Sequence, residues 1–180
     1  MTNTGKIFEK EIADSIPEYA LLYRLPDSAQ SFGGGNNLRF SRKNPFDFLM
    51  WDSAGRTLYA LEMKTVNEKS ISFERSKEDK GKIHYHQIDG LNKWSKYGGI
   101  VCGFIIEFRP IEETIFILID DFNTLMDKVE KKSFTIGDLD KLEIPYIVIP
   151  QTKMRTRYRY DIDGFINSTR KLVWADGGIL

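Results

Sequence analysis

The chain has 180 residues, 41% of them hydrophobic, with 26 basic and 26 acidic side chains that cancel at pH 7. That length suits one domain spanning residues 1–180, and the ordinary apolar content supplies a core and excludes a disordered polyelectrolyte. Zero net charge counts mildly against a nucleic-acid partner, but an acidic metal site offsets basic patches in the sum, so placement matters more than the total.

Residues 6–16 read as an amphipathic helix, with Ile7, Phe8, Ile12 and Ile16 near one face and Pro17 after it. Residues 20–25 suit a short strand. Residues 26–43 form a loop-like stretch with three consecutive glycines (33–35) and the cations Arg39, Arg42 and Lys43. Residues 46–51 and 57–66 then make a hairpin around the turn chemistry of Asp52, Ser53, Ala54 and Gly55. Residues 67–82 are polar and expected as a mobile loop. Residues 85–97 are expected as a helix stopped by Gly98 and Gly99, and the apolar run 100–108 as a buried strand. A strand at 114–119, a helix at 121–131 and a short strand at 144–149 follow, and from 151 the chain turns basic. This order describes an α/β domain around a mixed sheet.

Cys102 is the only cysteine, which rules out an internal disulfide and suits a reducing compartment. The longest apolar run, 99–108, is far below the roughly 20 residues that span a bilayer, and the first residues carry no apolar signal segment. The expectation is a cytoplasmic protein without a membrane partner.

Chemistry concentrates in Asp47, Glu62 and Lys64. Side chains alternate along a strand, so Glu62 and Lys64 share one face while Tyr59, Leu61 and Met63 take the other. Asp47, on the preceding strand of the hairpin, can sit beside Glu62. Two carboxylates side by side in a strand interior are costly unless a cation neutralises them. Mg²⁺ suits that pair, with the main-chain carbonyl of Met63 as a further ligand, and Mn²⁺ can substitute. Such a site polarises a phosphate and activates water, with Lys64 orienting the water or balancing developing charge. The plainer alternative is an exposed strand carrying Glu62 and Lys64, with Asp47 capping a turn near Pro45.

Asn44-Pro45-Phe46-Asp47 followed by Leu61-Glu62-Met63-Lys64 resembles the signature of the PD-(D/E)xK nucleases. Ile83-His84-Tyr85-His86-Gln87-Ile88, then Gly98-Gly99-Ile100 running into Phe104-Ile105-Ile106-Glu107-Phe108, is similar to the RecU-type Holliday-junction resolvases, as is Gly5-Lys6-Ile7-Phe8-Glu9-Lys10. The resemblance covers about the first two-thirds of the chain. It implies a restriction-endonuclease-like fold, a homodimer, and Mg²⁺-dependent paired cuts in four-way DNA junctions, in a bacterial or phage-encoded enzyme. It implies Asp47 and Glu62 as metal ligands, Lys64 as catalytic lysine, Glu9 as an acidic helper and Gln87 as a support. The chain departs from that family at 26–43, where a long basic stalk is replaced by a short glycine-rich stretch, and Arg39, Arg42 and Lys43 are left as its DNA contacts. That departure keeps two alternatives open: a restriction-like or general endonuclease acting on linear duplex, and a non-catalytic DNA-binding module.

Other features read two ways. Glu9 is equally an exposed acid near a helix start, and Gln87 equally a surface residue. His84 and His86, two apart, are not expected to face each other on a helix, and without a cysteine cluster a zinc site is not expected. His86 is assigned to the DNA side. Lys153, Arg155, Arg157 and Arg159 alternate with Met154, Thr156 and Tyr158. In one extended strand the four cations would share a face and track phosphates, or protect an edge strand from aggregation.

Overall fold

The computed structural model describes residues 4–26 and 44–175, with side chains as far as 171. Its elements are α1 (Thr4–Ala13), β1 (Ala20–Arg24), β2 (Phe48–Asp52), β3 (Thr57–Val66), β4 (Ile71–Ser72), α2 (Tyr85–Trp94), β5 (Ile100–Phe108), a 3-10 turn (Arg109–Ile111), β6 (Glu113–Leu118), α3 (Ile119–Lys128), β7 (Ser133–Phe134), α4 (Ile136–Lys141), β8 (Ile147–Val148), β9 (Gln151–Lys153), β10 (Tyr158–Tyr160) and α5 (Ile162–Ala175).

Six strands form one sheet in the order β1-β2-β3-β5-β6-β8. Every neighbouring pair is antiparallel except β3 and β5. Parallel neighbours need a crossover, and α2 supplies it. The expected mixed sheet flanked by helices is what the chain forms.

Period-two alternation divides the strands between two cores. Ala60, Phe104 and Ile106 face one side, where Ile88 and Leu91 of α2 and Phe122 and Leu125 of α3 cover them. Tyr59, Leu61, Met63 and Ile105 face the other, against Phe8 and Ile12 of α1 and Phe165 and Ile166 of α5. The run 100–108 is apolar but for Glu107, whose buried carboxylate accepts from Thr65 and Tyr160, because β5 is central and covered on both sides.

One expectation is corrected, and structure is added in two places where none was expected. The stretch 67–82 is pinned rather than mobile. Ile71, Phe73 and the adjoining Ile83 are fully buried, β4 pairs with β7, and the Arg75 guanidinium donates to the carbonyls of Met126, in the last turn of α3, and of Val129 just after it. Those three apolar residues, diluted among charges, outweigh the polar average. The tail beyond 151 folds as the β9–β10 hairpin and then a helix, α5, with Pro150 leading in. The helix α4 was not anticipated either. It begins at a Thr135–Asp138 capping box, in which each side chain accepts from the other's backbone N–H.

Asp52, fully buried, ties the hairpin to α5. Arg170 donates to both its oxygens, Nε to Oδ2 at 2.6 Å and a terminal nitrogen to Oδ1 at 2.5 Å. Burial alone would raise the Asp52 carboxyl, but Arg170 and the backbone amides of Gly55 and Ala54 more than offset it and hold it below the usual carboxylate range.

Candidate active site

The hairpin register brings Asp47 and Glu62 together. The last β2–β3 pair is Phe48↔Leu61, so Asp47, one residue before Phe48, falls opposite Glu62. Its carbonyl extends the β1 ladder by accepting from the Leu25 N–H at 2.8 Å. Residues opposite each other share a face, so both carboxylates lie on the α2 side of the sheet.

Glu62 is 0% exposed. Its Oε1 receives two donors, Lys64 Nζ at 2.7 Å and Gln87 Nε2 at 2.5 Å. Its Oε2 is buried with no hydrogen-bond partner. Burial pushes the carboxyl up, the Lys64 charge opposes that, and the Asp47 charge adds to it, leaving Glu62 at about 8. A buried acceptor without a donor is costly, and two carboxylates cannot supply each other's donor when both are ionised.

Gln87 sits in the first turn of α2, where its Oε1 accepts from the His84 backbone N–H at 2.9 Å. That bond fixes which end of the amide faces Glu62, since the oxygen is committed to the helix start and the NH₂ is left to donate to the carboxylate. Glu74 reinforces the same turn, accepting from Tyr85 N–H at 2.8 Å and contacting His84 Nδ1 at 2.8 Å.

Close packing holds α2 over the hairpin. A Cβ on Gly90 would come within 2.5 Å of the Pro45 carbonyl oxygen, so only glycine lets the helix approach the turn carrying Asp47. Gly90→Ala gains up to about 1 kcal/mol in helix propensity. The overpacking costs about 1–3 kcal/mol, and because the obstacle is backbone the larger figure prevails. The expected result is a lower melting temperature, read by thermal unfolding. A variant at least as stable as the parent would show that α2 need not sit this close.

Of the residues singled out from sequence, Asp47, Glu62, Lys64 and Gln87 converge. Met63 follows Glu62 in β3, past the last β2 pair, with its side chain buried on the opposite side. Glu9 lies elsewhere: α1 packs on that opposite side, and Glu9 accepts from Arg24 Nε at 3.1 Å. His86 is on α2, and its ring stacks on that of His84 with centroids 5.5 Å apart. The expectation that they do not face each other fails because His84 precedes the helix with extended backbone, outside helical spacing. Among the described residues no group of three or more His, Cys, Asp or Glu gathers as a metal site.

The basic strip is corrected too. Lys153 and Tyr158 are paired across the hairpin, and the Met154 N–H donates to the Arg157 carbonyl at 2.7 Å, so Arg155 occupies the turn. The four cations therefore do not line one strand. Lys153 pairs with Glu112 at 3.6 Å and Arg157 with Asp14 at 3.3 Å. The hairpin packs on α1, where the Tyr158 N–H donates to Glu11 and the Tyr160 N–H to Ser15, across the sheet from Glu62. Arg39, Arg42 and Lys43 lie outside the described residues.

No family model matches this chain. It is 29% identical over 162 residues to the SPbeta prophage-derived uncharacterized protein YotM of Bacillus subtilis (strain 168), covering 86% of this chain and 77% of that one. Among solved structures it is similar to Hjc, a Holliday junction resolvase from Archaeoglobus fulgidus, at 12% identity and a TM-score of 0.46, covering 76% of this chain and 91% of that one.

Two residues of the site's support were not legible in advance. Glu74 was hidden in the polar stretch, and Gly90 in a helix interior, where glycine ordinarily reads only as a weak point. Among the described residues no helix is long and apolar enough to cross a membrane.

Proposed function

We propose that the chain is a divalent-metal-dependent DNA endonuclease of the PD-(D/E)xK superfamily, resolving four-way junctions in the manner of RecU-type enzymes as a homodimer in a bacterial cytoplasm, encoded by host or phage. One observation carries the reading: Glu62 is wholly buried beside Asp47, donors hold one of its oxygens, and the other has no partner.

That donor set fits a hard cation. Asp47 and Glu62 would hold it, with the Met63 carbonyl as a third protein ligand and waters completing the shell, as Mg²⁺ prefers. When bound, Mg²⁺ or Mn²⁺ supplies a Lewis acid for the scissile phosphate and a water acidic enough to attack. The chain's own groups do the rest. Lys64, tethered to Glu62 yet reaching solvent, orients the attacking water and offsets negative charge building on phosphorus. Gln87 keeps the Glu62 carboxylate from rotating.

The test is cleavage of a labelled four-way junction and a linear duplex of the same sequence, with Mg²⁺ and with EDTA. Paired, Mg²⁺-dependent cuts in the junction alone are expected. Equal cutting of both substrates would leave a general or restriction-like endonuclease, and no cutting under several divalent metals would leave a binding module.

A further inference from the structure

The open edge of the sheet is unlike the rest of the surface. Among the described residues β1 borders only β2, and its burial alternates from Ala20 to Tyr23. Leu22 turns toward α1, whereas Leu21 and Tyr23 project from the other face and are 64% and 55% exposed. Register places Leu21 opposite Trp51 and Tyr23 opposite Leu49. Trp51 is itself 42% exposed. Asp47, Leu49 and Trp51 alternate along one face, so this apolar surface continues directly from the carboxylate site. By strand geometry Tyr23 lies roughly 8 Å from Asp47, and Trp51 about 13 Å.

The reverse side of β1 has the opposite character. Between α1 and β1 runs a groove of about 430 Å³ walled by Leu22 and Phe48 and lined by Lys6, Lys10 and Arg24. Glu9 is the one carboxylate among its lining residues, and Asp14 nearby pairs with Lys10 at 2.9 Å. Arg24 pairs with Glu9 at 3.1 Å and Lys10 with Asp14, so three cations meet two acids and the groove carries one positive charge in excess, in a chain whose total charge is zero.

An exposed apolar edge asks for cover. A second copy of the chain would satisfy the rings but not the cations behind them. Rings on one face and cations on the other, along a single open strand, match a single-stranded polynucleotide, whose bases stack on aromatics while its phosphates follow positive charge.

We infer that the β1 edge is a binding surface for unpaired nucleotides, with Tyr23 and Trp51 as stacking platforms and Lys6, Lys10 and Arg24 as phosphate contacts. Its place beside the cleavage site rests on the nuclease reading above. The two rings lie on the site's own face, so bases flanking the phosphate to be cut reach them. The surface thus selects DNA that has unstacked next to that phosphate, as at a branch point or a flap, over continuous duplex.

The test is fluorescence anisotropy in EDTA with labelled dT12 and a labelled duplex of equal length, so that no cleavage enters. The parent protein is expected to bind dT12 more tightly than the duplex. Tyr23→Ala and Trp51→Ala should each weaken dT12 binding about tenfold or more, Tyr23→Phe should retain it, and the Lys6→Gln, Lys10→Gln double variant should flatten its salt dependence. Tyr23 is more than half exposed, so its variants should keep the parent's unfolding temperature, whereas Trp51→Ala, which removes a ring more than half covered, should unfold lower yet stay folded at the assay temperature. Unchanged dT12 affinity in both alanine variants overturns the inference. So does loss of a concentration-dependent dimer in those variants with dT12 binding intact, which would give the edge to a second copy. If the alanine variants lose dT12 but the parent cuts no DNA with any divalent metal, the surface stands and the nuclease reading falls.

Discussion

Glu62→Gln is expected to make the metal-free protein more stable at pH 8 while abolishing cleavage. Glu62 has a folded-state pKa of about 8 against an ordinary value of 4.5. The folded protein therefore retains a proton that the unfolded chain releases between those values. The stability linked to this proton is fully present below about pH 4.5 and is lost as pH rises through 8. Each unit is worth about 1.4 kcal/mol, and discounting for the coupling to Lys64 leaves a penalty of roughly 2–4 kcal/mol above pH 8. Glutamine carries no such penalty, so the variant should melt about 5–10 °C higher than the parent at pH 8, with the gap closing toward pH 5. Millimolar Mg²⁺ should raise the melting temperature of the parent at pH 8 and leave that of the variant nearly unmoved. A variant no more stable than the parent at pH 8 would mean that the buried carboxylate is not held under strain for a cation.

Asp47→Asn should cut cleavage by at least about a thousandfold while leaving DNA binding, measured in EDTA, within about twofold of the parent. The substitution removes one carboxylate of the cation pair but no phosphate contact. It keeps the side-chain volume, and it leaves the Asp47 carbonyl that accepts from Leu25. Retained cleavage would sink the assigned cation site. Binding lost together with cleavage would mean that Asp47 shapes the surface rather than the chemistry.

The convergence of Asp47, Glu62 and Lys64 was legible from sequence because it rests on local rules. Alternation along β3 put Glu62 and Lys64 on one face, and a short turn set the register that delivers Asp47. Gln87 was found only through the resemblance of its surrounding motif, since nothing in its spacing announces that its oxygen caps α2 while its nitrogen reaches a carboxylate 25 positions earlier. Glu9 shows the limit of such a transfer, because its helix packs on the far side of the sheet. The basic strip failed for a different reason: alternation was read through Arg155 as though the strand continued, but the chain reverses there and Tyr160 turns inward onto Phe8. Ile71, Phe73 and Ile83 were lost in a charged average. Their burial is a long-range fact that depends on Phe122 and Phe134, about 50 to 60 positions away.

The Asp52–Arg170 bridge bears on how the molecule is made. All the acids and bases of the site emerge from the ribosome in the first half of the chain, but Asp52 is buried against a guanidinium 118 positions later. The side of the sheet carrying Tyr59 receives Phe165 and Thr169 only at the same late stage. A nascent chain thus holds Asp47, Glu62 and Lys64 on a hairpin still lacking its C-terminal cover and its charge partner. A nuclease of the kind proposed above would in this way assemble its site only when synthesis is nearly complete.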